Sequence, residues 1–299
     1  MSGDGGGSDE TVPWRRLHDE ALTRFRNEQT PEPEVSARRI VEELSGHEGA
    51  DFAFGLDEMV TNRGMAAFDK LVSRRLAGEP LQYVLGHWGF RELDLLVDPR
   101  VLIPRPESEV VAGLAISEVS RLAGVASPLM VVDLGAGSGA LGLSVAAETS
   151  DVEVWLTDLS EDAIAVARAN TAGLGTAGSK IRIAVGSWFD AVPDVLKGTL
   201  GVVVSNPPYV ADHEELPSQV RDWEPQSALF AGPSGTEHLE ALVHQSRSWL
   251  RSDGALVLEM APWQTDRVAE LASQRFGEVS IESDLAGLPR AVVSRHPQR

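Results

Sequence analysis

The sequence predicts an α/β protein with a doubly wound, Rossmann-like sheet of seven strands, a small helical N-terminal domain and a β-hairpin connector between them. Apolar residues recur at helical spacing from Trp14 to about Ala77. From residue 107 onward, short apolar strands alternate with helical segments, which is the pattern of a parallel sheet covered by helices on both faces. A glycine-rich loop directly follows the first of these strands.

The N-terminal part predicts a tail and a helical domain. Residues 1–10 are rich in Gly, Asp and Ser and are expected to be disordered. The helical domain is expected over residues 11–80, with breaks at Thr30-Pro31-Glu32-Pro33 and at Gly78-Glu79-Pro80, because glycine followed by proline ends a helix. Its apolar positions at helical spacing are Trp14, Leu17, Ala21 and Phe25, then Val35, Ile40, Val41 and Leu44, then Met65, Phe68, Leu71 and Val72.

The remaining residues predict a connector and the sheet. Residues 81–106 alternate aromatic and polar positions before an apolar run at 93–97 and a turn at 98–100, which predicts the β-hairpin connector. Residues 107–299 are expected to form the sheet domain, because helical segments separate most of its apolar runs. The seven strands are expected near residues 129–134, 152–157, 181–186, 200–205, 255–260, 278–283 and 290–294.

The charge distribution restricts the class of partner. The formal net charge of −19 argues against a protein that binds through broad phosphate contacts, because such binding needs a basic surface. Residues 11–80 carry 10 basic and 13 acidic side chains, whereas residues 81–299 carry 16 and 29. The nearly balanced helical domain is therefore the better candidate for docking a partner, and the alternative is a merely solvated surface. No direct contact with nucleic acid is expected.

Other features of composition exclude several kinds of site. With no cysteine, the chain has neither disulfides nor thiolate chemistry, and its seven histidines show no paired spacing, so no metal is expected. No apolar run approaches the roughly 18 to 20 residues of a membrane span, and the N-terminus does not resemble a signal peptide. These features favour a cytoplasmic protein without a membrane partner, and we expect a monomer.

The glycine-rich loop predicts a cofactor site. The strand at 129–132 runs into Asp133-Leu134-Gly135-Ala136-Gly137-Ser138-Gly139 and then into a helical segment. Glycines allow a tight turn and let the backbone approach a ligand at a helix N-terminus. However, Gly137, Gly139 and Gly142 also fit the fingerprint of a dinucleotide-binding fold. The loop alone leaves a nicotinamide dehydrogenase open.

Asp158 stands at the end of the next strand. A carboxylate there can accept hydrogen bonds from both hydroxyls of an adenosine ribose, whichever adenosine-containing cofactor is bound. The alternative is that Asp158 and Ser160 only cap the following helix. Asp158 therefore supports a cofactor site without selecting the cofactor.

The tetrapeptide Asn206-Pro207-Pro208-Tyr209 predicts the chemistry. It ends a fully apolar strand, which places it at the carboxyl edge of the sheet, beside the glycine loop. The Asn206 side-chain oxygen and the Pro207 carbonyl can accept the two N–H bonds of a planar amide or amino nitrogen, and Tyr209 offers a flat face for stacking. This arrangement indicates methyl transfer from S-adenosyl-L-methionine to such a nitrogen, and the alternative is an ordinary turn that ends a strand.

With these motifs the chain resembles the HemK/PrmC family of methyltransferases, which modify the glutamine of the Gly-Gly-Gln loop in class-one peptide-chain release factors. The resemblance extends from about residue 14 over nearly the whole chain. Its further motifs are Glu79-Pro80-Leu81-Gln82-Tyr83, Val101-Leu102-Ile103-Pro104-Arg105-Pro106-Glu107, Arg221-Asp222-Trp223-Glu224-Pro225 and Asp284-Leu285-Ala286-Gly287. Ser108 stands where the family often has threonine.

The resemblance implies a seven-stranded methyltransferase sheet whose last strand is antiparallel, and a helical domain that helps to dock the release factor. It implies S-adenosyl-L-methionine as cofactor and S-adenosyl-L-homocysteine as product. The implied cofactor-binding residues are Gly135, Ala136, Gly137, Ser138, Gly139, Asp158, Trp188 and Asn206. The implied substrate-binding residues are Asn206, Pro207, Pro208 and Tyr209, of which Asn206, Pro207 and Tyr209 are the catalytic ones.

Several alternatives remain at this stage. Trp188 is also explained by ordinary core packing, and the proline-rich segment 103–107 by a structural role. Asn-Pro-Pro-Tyr is shared with DNA adenine-N6 methyltransferases, so a DNA or RNA adenine-N6 methyltransferase is the alternative enzyme. A release-factor adaptor that retains the fold without catalysis is the alternative from another class.

Overall fold

The computed structural model describes residues 11–298 and divides the chain between Gly86 and His87 into two compact units. The expected disordered tail, residues 1–10, lies outside the described residues. Residues 11–86 are called the helical unit below, and residues 87–298 the sheet unit.

The helical unit contains five helices: α1 (Trp14–Asn27), α2 (Pro33–Ser45), α3 (Phe52–Gly55), α4 (Asn62–Leu76) and α5 (Leu81–Leu85). All four apolar positions predicted for the first helix are buried in one core with Ile40 and Val41 of α2 and Phe68 and Val72 of α4. Val35 instead is 44% exposed on the first turn of α2. Gly78, at φ +92°, follows α4, and left-handed backbone of this kind favours glycine, so the predicted break occurs there.

Arg75 connects three parts of the helical unit from a position that is only 3% exposed. Its guanidinium donates hydrogen bonds to the Pro31 carbonyl at 2.8 Å, the Glu79 carbonyl at 3.0 Å and the Ser36 hydroxyl at 3.1 Å. Burial lowers the pKa of Arg75, because the charged form loses its hydration. The buried cation thus fixes the α1–α2 break and the segment after α4 against α2.

The structure differs from the expected connector at residues 81–85, which form the short helix α5 instead of the start of a hairpin. The reason is packing: Leu81, Tyr83 and Val84 are buried within the helical unit. In addition, the Arg74 guanidinium donates to the carbonyls of Tyr83 and Val84, which compensates for carbonyls that a helix end leaves without partners. A local alternation of aromatic and polar residues does not reveal such contacts.

The β-hairpin itself is shorter than expected. It consists of β1 (His87–Phe90) and β2 (Leu93–Leu96), which pair antiparallel and are joined at residues 91–92. The predicted turn at 98–100 is a separate feature after β2, in which the Asp98 carboxylate accepts hydrogen bonds from the Arg100 backbone and side chain.

The helices and strands of the rest of the sheet unit match the predicted alternation. Its helices are α6 (Pro106–Arg121), α7 (Ala140–Glu148), α8 (Glu161–Gly173), α9 (Ser218–Trp223), α10 (Glu237–Trp249) and α11 (Thr265–Ser273). Its strands are β3 (Leu129–Leu134), β4 (Val152–Asp158), β5 (Ile181–Val185), β6 (Leu200–Ser205), β7 (Val210–Ala211), β8 (Phe230–Gly232), β9 (Leu250–Glu259), β10 (Phe276–Ser283) and β11 (Pro289–Pro297).

Seven of these strands form one sheet in the order β10-β11-β9-β6-β3-β4-β5. The pairs from β9 to β5 are parallel, whereas β11 is antiparallel to both of its neighbours. The predicted seven-stranded, doubly wound sheet with an antiparallel last strand is therefore confirmed. The two-stranded β7–β8 sheet was not predicted.

Strands β4 and β5 are added on one side of β3, and β6 is added on its other side, so the strand order reverses there. Strands β3 and β6 lie side by side at the centre of the sheet. Every residue of β6 is buried, as expected for a parallel strand with both faces covered. One apolar core lies on each face of the sheet. Both the glycine loop and the tetrapeptide leave the carboxyl edge at this reversal, where ligands bind in doubly wound folds.

Replacing Arg75 with Ala should reduce the free energy of unfolding by about 2 kcal/mol, because the Pro31 and Glu79 carbonyls lose their donor. The measurement is thermal and urea denaturation followed by circular dichroism. Arg63→Ala, at an exposed position on the same helix, serves as the control. Equal stability losses for the two variants would contradict the assigned role of Arg75.

Candidate active site

The glycine loop is a tight turn tied to the neighbouring strand. Gly135, Gly137 and Gly139 have φ values of +70°, +57° and +89°, which favour glycine at each position. The N–H groups of Gly135 and Ala136 both donate to the Thr157 carbonyl of β4, at 2.8 and 2.9 Å. Helix α7 begins directly after the loop. The predicted cofactor loop therefore has a fixed shape at the carboxyl edge.

The Asp158 carboxylate holds the same loop from the end of β4. One oxygen accepts the Gly137 N–H and the other the Ser160 N–H, each at 2.9 Å. Burial raises the pKa of Asp158, and these backbone hydrogen bonds oppose the rise. Ser160, not Asp158, caps α8, since its hydroxyl accepts the Ala163 N–H. A carboxylate has about four acceptor sites, so these backbone donors leave it able to accept a further hydrogen bond.

Asp133 is a buried acid that the sequence reasoning did not single out. It is 1% exposed, and one of its oxygens accepts the Gly142 N–H at 2.9 Å. The other oxygen, Oδ1, has no hydrogen-bond partner within residues 11–298. Burial raises the pKa of Asp133 to about 7. A buried, unpartnered oxygen is costly unless a ligand or water supplies a donor.

Trp188 follows β5 and packs against both the loop and the core. A Cβ atom added to Gly135 would lie 3.2 Å from Cζ3 of the Trp188 ring. The ring also contacts His238, with 5.2 Å between ring centroids, and it packs on the core cluster of that sheet face. Trp188 therefore packs against the core and also lines the cavity described below, whereas its contact with a cofactor stays a prediction.

These elements surround a cavity of about 400 Å³ in the sheet unit, within the size range of small-molecule sites. The predicted residues that line it are Gly135, Ala136, Gly137, Ser138, Asp158, Trp188, Asn206 and Pro208. Gly139, Pro207 and Tyr209 do not line it. The lining also includes residues not predicted for the site, among them Asp133, Ser108 and His238.

The tetrapeptide is held at the sheet edge from both sides. The Ser205 hydroxyl, just before it, donates to the Leu134 carbonyl of β3 at 2.6 Å. The Tyr209 carbonyl accepts the side-chain N–H of Gln264 at 2.9 Å, and Gln264 is completely buried. Burial raises the pKa of Tyr209 to about 12, so its hydroxyl stays protonated at neutral pH. The tyrosine ring is half-buried and packs against the core.

Glu224 connects two of the sequence motifs beside the cavity. Its carboxylate accepts the Ile103 N–H at 3.1 Å and a guanidinium N–H of Arg105 at 2.5 Å. Pro104 and Pro225, the neighbours of these residues, both line the cavity. The segments 101–107 and 221–225 therefore form one wall, which gives the proline-rich stretch a structural role as well as a place in the lining.

Comparisons with known proteins agree with this geometry. The PrmC N-terminal domain matches residues 16–86, and the Methyltransferase small domain matches residues 121–222. A release factor glutamine methyltransferase of Rhodopirellula baltica is 32% identical over 287 residues, which cover 93% of this chain and 95% of that protein. The chain belongs to the release factor glutamine methyltransferase family. The family proteins of Bifidobacterium longum and Streptomyces coelicolor are 35% and 34% identical, and each match covers more than 90% of both chains.

Family membership confirms the resemblance predicted from the motifs and the prediction that the chain is a methyltransferase. The nicotinamide dehydrogenase that the loop left open is thereby excluded. Among solved structures, the catalytic domain of hMettl16, in complex with the MAT2A 3′UTR hairpin 6, matches with a TM-score of 0.51. That match has 13% identity and covers 80% of this chain and 83% of that one, so it supports the fold alone.

The rest of the described chain adds neither a metal cluster nor a membrane segment. Within residues 11–298, no group of three or more His, Asp and Glu side chains is arranged to hold a metal ion. None of the helices in this range combines the length and apolar character that crossing a membrane requires.

Because burial raises the pKa of Asp133, the wild-type protein loses stability as this carboxyl ionises with rising pH. Asparagine does not ionise, so Asp133→Asn should stabilise the free protein more at pH 8 than at pH 5. The advantage of the variant should grow by about 3 kcal/mol over this interval. Urea denaturation at both pH values measures it, and other titrating groups cancel in the difference. If the difference in free energy of unfolding between the variant and the wild type did not change with pH, the pKa of Asp133 would not be raised in the folded protein.

Proposed function

We propose that this protein methylates the side-chain amide nitrogen, N5, of the glutamine in the Gly-Gly-Gln motif of class-one peptide-chain release factors. The observation that carries the proposal is the position of Asn206 and Pro208 in the cavity beside the glycine loop. The names of relatives that match more than 90% of the chain support the acceptor.

We propose S-adenosyl-L-methionine as the cofactor, held by Gly135 to Gly139, Asp158, Trp188 and Asn206. Three features of the cavity support this assignment. The Asp158 carboxylate has lone pairs for a ribose, the Trp188 ring supplies an apolar wall, and the unpartnered Asp133 oxygen suits a cationic or N–H group. When bound, the cofactor supplies an electrophilic methyl group on a positively charged sulfur, and S-adenosyl-L-homocysteine is the product.

The protein's task is to hold a weak nucleophile in line with that methyl group. An amide nitrogen is a weak nucleophile because it shares its lone pair with the carbonyl. When this lone pair forms the new N–C bond, positive charge develops on the nitrogen. The Asn206 side-chain oxygen and the Pro207 carbonyl accept its two N–H bonds and stabilise this charge. The S–CH₃ bond would break with its electron pair going to sulfur, and one N–H proton would then pass to water, which leaves a neutral methylated amide. Adjacent prolines restrict φ and keep the Pro207 carbonyl in place.

Pro207, Pro208 and Tyr209 complete the proposed substrate site. Pro208 lines the cavity, whereas Tyr209 offers its ring from a half-buried position behind it. Stacking of this ring on the glutamine amide remains a prediction. Because the Tyr209 hydroxyl stays protonated, its proposed role is to provide a flat surface, not to act as a base.

The proposed acceptor is a protein and not a nucleic acid. The sheet unit's excess of acidic over basic side chains disfavours contact with a duplex, which argues against the adenine-N6 alternative. We further propose that the helical unit docks the release factor, which agrees with its match to the PrmC N-terminal domain. We propose a monomer that acts in the cytoplasm.

The decisive experiment incubates the protein with radiolabelled S-adenosyl-L-methionine and either a purified class-one release factor or double-stranded DNA. Label should enter the release factor, and it should be lost when the glutamine of its Gly-Gly-Gln motif is changed to alanine. Incorporation into DNA, or undiminished labelling of the altered release factor, would overturn the proposed acceptor.

Variants at Asn206 and Asp158 should affect different steps, catalysis in the first case and cofactor binding in the second. Asn206→Ala should lower kcat by about 100-fold to 1000-fold, because its oxygen acts on the acceptor amide. Cofactor affinity should stay within a few-fold, because the glycine loop, Asp158 and Trp188 still hold the cofactor. Asp158→Ala should lower cofactor affinity by roughly 10-fold to 100-fold, because charge-assisted hydrogen bonds are lost.

Titration calorimetry and release-factor kinetics measure the two effects. Asp162→Ala removes a nearby carboxylate at an exposed position and serves as the control. If Asn206→Ala lost affinity and turnover in equal measure, its role toward the acceptor would be wrong.

A further inference from the structure

The orientation of the Asn206 amide decides whether it can act as proposed. An asparagine side chain carries an acceptor oxygen and a donor NH₂ group, and half a turn about its last torsion exchanges them. Only the orientation with the oxygen toward the cavity can accept an N–H bond from a glutamine amide. The surrounding hydrogen bonds must therefore select one orientation.

Ser108 is the neighbour that contacts this amide. It lies in the first turn of α6, is 4% exposed and lines the cavity. The distance between Asn206 Nδ2 and Ser108 Oγ is 3.3 Å, with the nitrogen as donor. A hydroxyl, however, can either accept from NH₂ or donate to the amide oxygen. Ser108 alone does not select the orientation.

Glu259 lies on the other side of Ser108. It is the last residue of β9, which pairs parallel with β6 so that Ser205 is opposite Leu258. Asn206 and Glu259 therefore follow equivalent positions on neighbouring strands. Glu259 is 1% exposed, and the Ser108 side chain is close enough to its carboxylate to lower the pKa of Glu259 by hydrogen bonding. The carboxylate oxygen Oε2 has no partner within the described residues 11–298.

We propose that Ser108 and Glu259 are positioning residues, which orient the Asn206 amide through an ordered series of hydrogen bonds from Asn206 to Ser108 to Glu259. The inference rests on the proposed methyl transfer to glutamine and assigns that reaction two further residues. Neither residue touches the reacting atoms.

The number of hydrogen-bond donors and acceptors on each group determines the direction of these hydrogen bonds. An ionised carboxylate only accepts hydrogen bonds, so the single hydroxyl proton of Ser108 is donated to Glu259. The Ser108 oxygen then offers only lone pairs to Asn206, which must present its NH₂ group. The amide oxygen is thereby directed away from Ser108, where it can accept from the substrate. The carboxylate thus selects the orientation without contacting Asn206.

Protonation of Glu259 would weaken this selection. A protonated carboxyl can donate to Ser108, whose own proton is then free to turn toward Asn206 and favour the opposite amide orientation. Burial raises the pKa of Glu259 to about 7. Arg290 on β11 and Arg105 lower that pKa, whereas Glu107 on α6 raises it, and Tyr209 faces the same carboxylate. A bound cationic methyl donor lowers it further.

The test compares four variants in the release-factor assay, with kcat and KM measured separately. Ser108→Ala and Glu259→Met should each lower kcat by about 10-fold to 100-fold, because the amide is no longer held in one orientation. Ser108→Thr retains the hydroxyl, and Glu259→Gln retains an acceptor oxygen, so each should recover most of the loss. Cofactor affinity should change little in all four.

The pH dependence provides a readout that a purely structural role would not produce. Wild-type kcat should fall as the pH is lowered through the pKa of Glu259, at or below about pH 7 in the complex. Glu259→Gln should lose this acid limb, because glutamine does not titrate. An unchanged acid limb in Glu259→Gln would overturn the role of Glu259.

A double-variant comparison tests whether the two residues act in series. Once Ser108→Ala has removed the hydroxyl, Glu259→Met should cause no further loss of kcat, whereas independent structural damage would be additive. Ser117→Ala, at an exposed position on the same helix, controls for altered folding together with thermal denaturation. Additive losses would overturn the proposal. A wild-type protein without glutamine methylation would instead overturn the proposed function.

Discussion

The parallel pairing of β3 with β6 is the constraint on which the active site depends. Val131 to Asp133 lie opposite Val202 to Val204, and the side chains of both strands are buried almost completely. Because strand order reverses here, the segments that follow the two strands diverge and leave a crevice. One segment is the glycine loop and the other is the tetrapeptide, so a single strand pairing sets the distance between the proposed cofactor side and the proposed acceptor side. The Ser205 hydroxyl fixes the junction by donating to the Leu134 carbonyl.

Two buried carboxylates, Asp133 and Glu259, and the half-buried Asp158 lie near this junction, and burial raises the pKa of each. Asp133 and Asp158 line the cavity, whereas Glu259 ends the strand that pairs with β6. Unpaired buried charge destabilises a folded protein, so this arrangement has an energetic cost in the free molecule. A ligand with a positive charge would favour the ionised forms, and by linkage the ionised forms would favour that ligand. A methyl donor built on a sulfonium ion has this charge, which makes the acidic surroundings of the cavity consistent with the proposed chemistry.

Local patterns in the sequence were sufficient for the sheet and for the parts of the site that lie within one motif. The seven strands, the glycine loop, Asp158 and the end of β6 all follow from alternation, glycine spacing and apolar runs. Contacts between distant segments were not predictable in this way. Ser108 meets Asn206 across 98 positions, and Glu259 joins them only because β9 pairs with β6. Helix α5 was missed for the same reason, since the burial of Tyr83 and the donors on Arg74 are tertiary contacts.

The hydrogen bond between Glu224 and Ile103 affects when the cavity can form during folding. The Glu224 carboxylate holds the Ile103 N–H across 121 positions of chain, so one wall of the cavity cannot form while the chain between them is incomplete. During synthesis, a nascent chain that has emerged only as far as β5 already contains Asp133 and Asp158 but lacks Glu224 and therefore that wall. Contacts of such long sequence separation form late and slowly in folding. The pocket would thus become competent for its ligand only after most of the sheet unit has assembled, and a truncated chain would expose buried acids with nothing to enclose.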